Sequence, residues 1–370
     1  MVKVKAYDIF HPSIPQSKTF EEVLFQEEIT PPLDLYVNRE DDLKTYKKIV
    51  RRMNRISKYA YLSATNLLNS LPEVERDPWS IGTIFSTSFA SFDNVLSHLN
   101  KLYSKGIEAI SPIEFTYAVG NALISGITIN NNFKGPSGTF PDSDVLPIVD
   151  HYFTQGACDE ILMGSYNALI PEVASYYENL YKCFYHGKTK TTMDHIEIEQ
   201  RMTESYITIL FENQEEGQGI YLQGQVSVQK KEVNSEGEGL PKAEIQMGSF
   251  EKEDFIRLFK SLEEEGIALD QVDAIVSSAF GNPSFDQAEA EAMEETFGKI
   301  PTVYPAAIFP NGGCGSFSID NLVAFELLKK KKFPLAITRN MGEKGPETVL
   351  SLGVNEMGSI IGGVWKWKQD

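Results

Sequence analysis

Hydrophobic and polar positions alternate over the first ten residues, with Val2, Val4 and Ala6 set between Lys3, Lys5 and Asp8. A period of two predicts a half-buried strand and is unlike a signal peptide. An acidic, proline-bearing stretch from Glu21 to Glu40 follows, and then a helical pattern from about Leu43 to Leu71. From Ile81 the chain alternates short strands with helices. The run Ile81 to Ser86 is short and β-branched, as a buried parallel strand would be.

After a helix from about Phe92 to Tyr103, Ser111-Pro112-Ile113-Glu114 supplies a capping serine, a first-turn proline and a glutamate at the third position. Phe115, Val119, Ala122 and Leu123 then recur at helical spacing, which predicts one apolar face running to Gly126. Another helix (Val145 to Gly156) leads into a strand (Glu160 to Ser165), and Ser205 to Phe211 and Gln218 to Gln229 read as long strands. The polar segment between those two, Glu212 to Gly219, is the candidate junction of two halves, 1–215 and 216–370.

The second half repeats the alternation. Helices are expected at Phe250 to Glu265, Asp286 to Phe297 and Ser318 to Lys331. Strands are expected at Asp273 to Ser278, Thr302 to Tyr304, Leu335 to Thr338, Val349 to Val354 and Ser359 to Trp367. Two consecutive βα-rich halves imply a layered α/β fold with parallel sheet at its centre.

Charge narrows the partners. Among 370 residues, 34 Lys+Arg stand against 52 Asp+Glu, a net charge of -18, which disfavours nucleic acid and anionic membranes. The dense basic run read from the sequence, Lys329 to Lys332, falls where a helix ends, and cations there complement the helix dipole. No apolar run reaches the roughly 18 residues of a membrane span. Cys158, Cys183 and Cys314 form no Cys-x-x-Cys pair, so reduced thiols and a cytoplasmic setting are expected, with no metal or cofactor.

Catalytic motifs are scarce. The chain has no glycine-rich dinucleotide loop, Walker loop, His-Glu-x-x-His or Gly-x-Ser-x-Gly. None of its five histidines (His11, His98, His151, His186 and His195) lies in the last 175 residues, which therefore offer no imidazole base. His186 and His195, with Cys183 and Asp194 nearby, leave a nucleophile-and-base pair or a metal site open. Cys314, in a glycine-rich loop before a helix, is either a thiolate held by the helix N-terminus or a small residue at a tight connection.

Taken in order, several segments resemble the β-ketoacyl synthase family. Arg52-Met53-Asn54-Arg55-Ile56-Ser57 with Ala60 is similar to the helix after that family's N-terminal cap. Ile110-Ser111-Pro112, then Asn121, Gly126 and Lys134-Gly135-Pro136, resembles its Ile-Ser-Pro, Asn and Lys-Gly-Pro framework. Asp286-Gln287-Ala288-Glu289 resembles the acidic helix start after the first histidine loop, and Gly315 with the next helix resembles the segment after the second. The resemblance implies a thiolase-like five-layered αβαβα fold built from two similar βα-rich halves.

The same resemblance puts unusual residues at the catalytic positions. Asp144 stands in the place of the acyl-accepting cysteine, Phe280 in that of the first histidine, Gly312 in that of the second and Ala307 in that of the lysine. Losing all four removes the nucleophilic, general-base and oxyanion contributions together. Such a chain resembles the chain length factor of type II polyketide synthases, a noncatalytic subunit without cofactor that pairs with an active ketosynthase and shapes the acyl tunnel during decarboxylative condensation of malonyl units. The family implies a heterodimer, with acyl carrier protein engaged indirectly through the ketosynthase. Phe115, Tyr117 and Val119 become candidate tunnel gates, with Phe115 and Val119 equally readable as core residues of an amphipathic helix. An acyltransferase with its active site relocated to Cys314 or Asp144, and an acyl-binding pseudoenzyme, are the alternatives.

Overall fold

A computed structural model describes residues 1–370 except 31, 33, 74, 142–144, 176–178, 180–189, 231–249, 311–314, 356–357 and 370. The chain forms two compact units. The first comprises Met1–Pro12, Asp34–Pro171 and Glu204–Glu215. The second comprises Ser13–Leu33, Glu172–Thr203 and Glu216–Asp370.

In the first unit the predicted strands appear as β1 (Val2–Phe10), β2 (Ile81–Ser86) and β4 (Glu160–Asn167), joined by a strand that the periodicity does not predict, β3 (Ser137–Phe140). In the second unit β5 (Lys190–Met193) and β6 (Ile196–Glu199) make a hairpin. The chain then returns to the first unit as β7 (Ser205–Asn213). The order across the first sheet is β3-β2-β4-β7-β1, parallel between β3, β2 and β4 and antiparallel thereafter. All six residues of β2 are buried, as its apolar run requires when both faces of a parallel sheet are covered.

The second unit holds β8 (Gly219–Gln229), β9 (Ala274–Val276), β10 (Thr302–Val303), β11 (Thr338–Arg339), β12 (Thr348–Val354) and β13 (Ser359–Lys368). Its order is β11-β10-β9-β12-β13-β8. Setting aside the short edge strand β11, the sequence of pairings matches that of the first unit. The third strand lies beside the second, the second beside the fourth in parallel, and the fifth and first close the sheet antiparallel. The two halves are thus similar in topology, each combining three neighbouring parallel strands with antiparallel ones.

Three stretches depart from the sequence expectation. The helix read over 43–71 is divided into α2 (Glu40–Thr45), α3 (Lys47–Val50) and α4 (Arg55–Ser70), preceded in the chain by the short α1 (Phe20–Leu24). Asn54 starts α4 by accepting the Ser57 N–H at 3.2 Å, and a capping asparagine marks a new beginning. The helix opened by Ser111 is likewise two pieces, α6 (Pro112–Thr116) and α7 (Ala122–Asn131), after α5 (Phe92–Lys105). Gly120 and Asn121 fall in the break, and both residue types lower helix stability in an interior position. Leu335–Ile337 is a 3-10 turn rather than a strand, because only Thr338 and Arg339 pair with β10.

The helices that follow are α8 (Leu146–Thr154), α9 (Lys252–Glu264), α10 (Pro283–Phe297) and α11 (Gly315–Lys330). In the first unit α4 and α7 pack on the sheet around Tyr59, Phe85, Tyr166 and Tyr206. In the second, Phe255, Phe259, Phe280 and Phe285 anchor the equivalent core. Among the described residues no helix is long and apolar enough to cross a membrane.

Candidate functional site

In the second unit, strand β9 ends in Ser277-Ser278-Ala279-Phe280-Gly281-Asn282 before α10 begins. Asn282 caps that helix through its Oδ1, which accepts the N–H groups of Ser284 at 3.1 Å and Phe285 at 3.3 Å, and Pro283 fills the first helical position. Asp286, one turn inside, reaches back over the loop. Its two carboxylate oxygens accept the backbone N–H of Phe280 and that of Gly281, each at 3.0 Å. Gly281 has φ +93° and lies so close to the Gln200 backbone that a Cβ would fall 2.5 Å from its nitrogen, so glycine is required there.

These bonds hold Phe280 in a fixed, dry place. Its side chain is buried, with its ring centroid 4.9 Å from that of Phe285. Phe280, Ala306, Phe309 and Asp320 line a cavity of about 20 Å³. That volume admits about one water and no acyl chain. Ala307, on the 3-10 turn Pro305–Ala307, is buried and offers no functional group. Phe20 from α1 packs against Phe309 from outside the cavity, at a centroid distance of 5.1 Å.

Beneath the loop lies a group of buried carboxyls, two of them from the acidic helix start Asp286-Gln287-Ala288-Glu289. Glu289 accepts hydrogen bonds from the hydroxyls of Ser277 and Ser278 and from the Ser278 N–H. Burial pushes its pKa up to about 7, opposed by the two serine hydroxyls and reinforced by the neighbouring Asp286. Burial likewise raises Asp286 to about 6, against the hydrogen bonds from Thr191 and the loop N–H groups. Asp320 is driven well above the carboxylate range, first by burial and then by Glu289. The signal that was available is the spacing: Asp286 and Glu289 are three apart on one helix face directly after a capped, glycine-bearing loop.

The other expected positions divide. Asp144, Gly312 and Cys314 lie outside the described residues, as do Cys183 and His186. His195 is exposed in the turn of the β5–β6 hairpin, beside Asp194, whose φ is +55°. In the first unit Phe115 is 57% exposed and Val119 43%, while Tyr117 is half-buried against the core. Phe115 and Val119 are therefore not core residues of this chain, which overturns the amphipathic-core reading for both.

The first unit also carries a basic strip that the sequence reading passed over. Lys44, Lys47, Lys48, Arg51 and Arg52 face an open cleft bordered by Tyr117. They come from the end of α2, from α3 and from the turn that follows it. The Lys329–Lys332 run behaves as expected of a helix end, with Lys330 paired to Glu21 at 2.7 Å and Lys331 set over the Trp367 ring.

No protein-family model matches the sequence, and no curated protein matches it either. Solved structures do. The ishigamide ketosynthase/chain length factor is 13% identical, with a TM-score of 0.65 and 99% of each chain covered. A type II polyketide synthase acyl-carrier protein in complex with its ketosynthase bound to the hexaketide gives 14% identity, a TM-score of 0.69 and 99% of each chain. A β-ketoacyl synthase from Burkholderia phymatum STM815 gives 13%, 0.69, and 100% of this chain with 99% of that one. The chain has the thiolase-like fold of the β-ketoacyl synthases.

Proposed function

We propose that this protein is a noncatalytic, chain length factor-like subunit that pairs with an active ketosynthase in the cytoplasm and shapes the acyl tunnel of a polyketide or fatty-acid-like synthase. The observation that carries the reading is Phe280. The residue that stands in the family's first histidine place is an aromatic hydrocarbon, buried and clamped by its own backbone, over a cavity of about 20 Å³. An imidazole there would polarise a thioester; a phenyl ring has no proton to give and no lone pair to offer.

The partner supplies the cysteine and both histidines, and this chain supplies bulk along the tunnel from Phe115, Tyr117 and Val119. Carrier protein docks on the partner, since acidic carrier and a chain of net charge -18 repel one another. Co-expression with a ketosynthase that has an intact Cys-His-His set, followed by size-exclusion chromatography and a malonyl-condensation assay, tests this. A co-eluting, condensing pair and an inert isolated chain are expected. A monomer or homodimer that ignores the ketosynthase would overturn the reading. Acyl transfer by the chain alone, lost in Cys314→Ala, would replace it with a relocated active site.

A further inference from the structure

The loop over the cavity hangs on one helix through two acids. Asp286 accepts the N–H groups of Phe280 and Gly281, each at 3.0 Å. Glu289, one turn further along α10, accepts the hydroxyls of Ser277 and Ser278 and the Ser278 N–H, the last at 3.2 Å. Ser277 Oγ in turn accepts the Ala279 N–H at 3.1 Å. Each of residues 277–281 is thus held, directly or through one hydroxyl, by Glu289 or Asp286. Ser278, Ala279 and Phe280 also line the cavity of about 20 Å³, so the bonds that fix the loop are the bonds that keep the cavity shut.

The acids that hold the loop have no counter-ion. Asp286 is 1% exposed and Glu289 0%, and among the described residues neither is ion-paired. Asp320 of α11 lines the same cavity at 6% exposure, accepts no hydrogen bond from a described residue, and lies within electrostatic reach of Glu289. The other neighbours bring no free positive charge. Thr191 from β5 offers a hydroxyl to Asp286. Tyr304, after β10, faces Glu289 with a phenol that burial pushes up to about 12. Arg339 from β11 reaches Tyr304 but is paired to Asp194 of the β5–β6 hairpin at 2.8 Å. Carboxyls this close in a dry site meet both desolvation and mutual repulsion when they ionise.

We propose that Glu289 and Asp286 form a proton-operated latch on the 277–281 loop, closed over the cavity while Glu289 keeps its proton and released when it loses it. Charge on Glu289 is opposed first by burial and also by Asp286, and lifting the loop relieves both by letting water in. Glu289 titrates near pH 7 when the loop is closed and at its ordinary value of 4.5 once wetted, so the closed form is fully favoured below that ordinary value and loses ground as pH rises through about 7. The latch lies wholly within the second unit and does not depend on the proposed pairing with a ketosynthase.

Hydrogen exchange of the full wild-type chain, corrected for the intrinsic rise of exchange with pH, reads the latch at the amides of Phe280 and Gly281. The amides of Leu350 and Leu352, in the buried strand β12, report global unfolding. The loop amides are expected to be less protected than those of β12 at every pH, and so to open on their own. Their protection is expected to fall by about tenfold or more between pH 6 and pH 8, the change produced by a carboxyl that moves from about 7 to 4.5 on opening. In Glu289→Gln that fall should shrink to about twofold, the share left to Asp286. Wild-type loop protection that is flat with pH, or equal to that of β12 throughout, would overturn the latch, and neither result depends on a variant that folds. A folded Glu289→Gln chain that keeps the tenfold fall would overturn it as well.

Discussion

Asp286 fixes the backbone of Phe280, accepting its N–H at 3.0 Å while the Phe280 ring packs on Phe285 from the same helix. One residue thus sets both the loop and the cover of the cavity. Phe280→Ala is expected to lower stability by about 3–5 kcal/mol, the usual cost of truncating a buried phenylalanine, without altering condensation by the reconstituted pair beyond the loss of folded protein. Phe280→His is expected to leave the isolated chain inert, because a single imidazole without a nucleophile completes no catalytic set. Urea titration and a malonyl-decarboxylation assay check the two.

The buried carboxyls set a pH dependence. Glu289 binds its proton more tightly in the folded chain, titrating near pH 7, than a glutamate does at its ordinary value of 4.5. The associated stability is complete below the unfolded carboxylate range and is lost as pH rises through about 7. For Glu289 alone the loss is on the order of 3 kcal/mol between these limits. Glu289→Gln keeps a neutral side chain at every pH, so its stability curve should be flatter from about pH 4 to 8. Thermal melts across that range, wild type against variant, check the slope.

In the first unit Glu204 has no exposed side-chain surface and holds Arg55 by two bonds of 2.7 Å, while accepting the Val37 N–H at 2.8 Å and that of Leu169 at 3.2 Å. Arg55→Ala strands a buried charge and is expected to cost about 3–5 kcal/mol. Adding Glu204→Gln should recover part of that loss, a coupling that a double-mutant cycle in urea measures.

Product length tests the gate. Val119→Ala or Phe115→Ala, in an intact pair with ketosynthase, is expected to lengthen the product by removing bulk at the tunnel end. Mass spectrometry of the products reads it, and unchanged lengths in both variants would remove these residues from the tunnel.

The basic strip tests where carrier protein docks. If carrier binds the ketosynthase, reversing Lys47, Lys48, Arg51 and Arg52 to glutamate leaves the carrier KM of the pair within about twofold, since rim charges act mainly on encounter rates. A KM raised tenfold or more, relieved by salt, would move the docking site onto this strip.

Much of the fold could be read from periodicity, because strands such as β2 and β12 are buried along their whole length and leave an unbroken apolar trace. The breaks were harder. Gly120 and Asn121 interrupt a helix whose apolar spacing continues across them, so the pattern alone gives no boundary. The five cations from Lys44 to Arg52 are spread over nine residues directly after Glu40-Asp41-Asp42, so no dense basic run marks them in the sequence. The burial of Asp286, Glu289 and Asp320 was not legible, since acidic residues near a helix start are equally at home in solvent.

The aromatic cover over the cavity also bears on how such a chain changes over time. Replacing Phe280 by histidine would forfeit ring packing against Phe285 and bury a polar group above carboxyls that already resist ionisation. That single change therefore weakens the fold, whereas substitutions at the exposed positions of α5 leave the core undisturbed. The loop over this pocket is therefore expected to tolerate far less sequence change than the exposed face of α5 does.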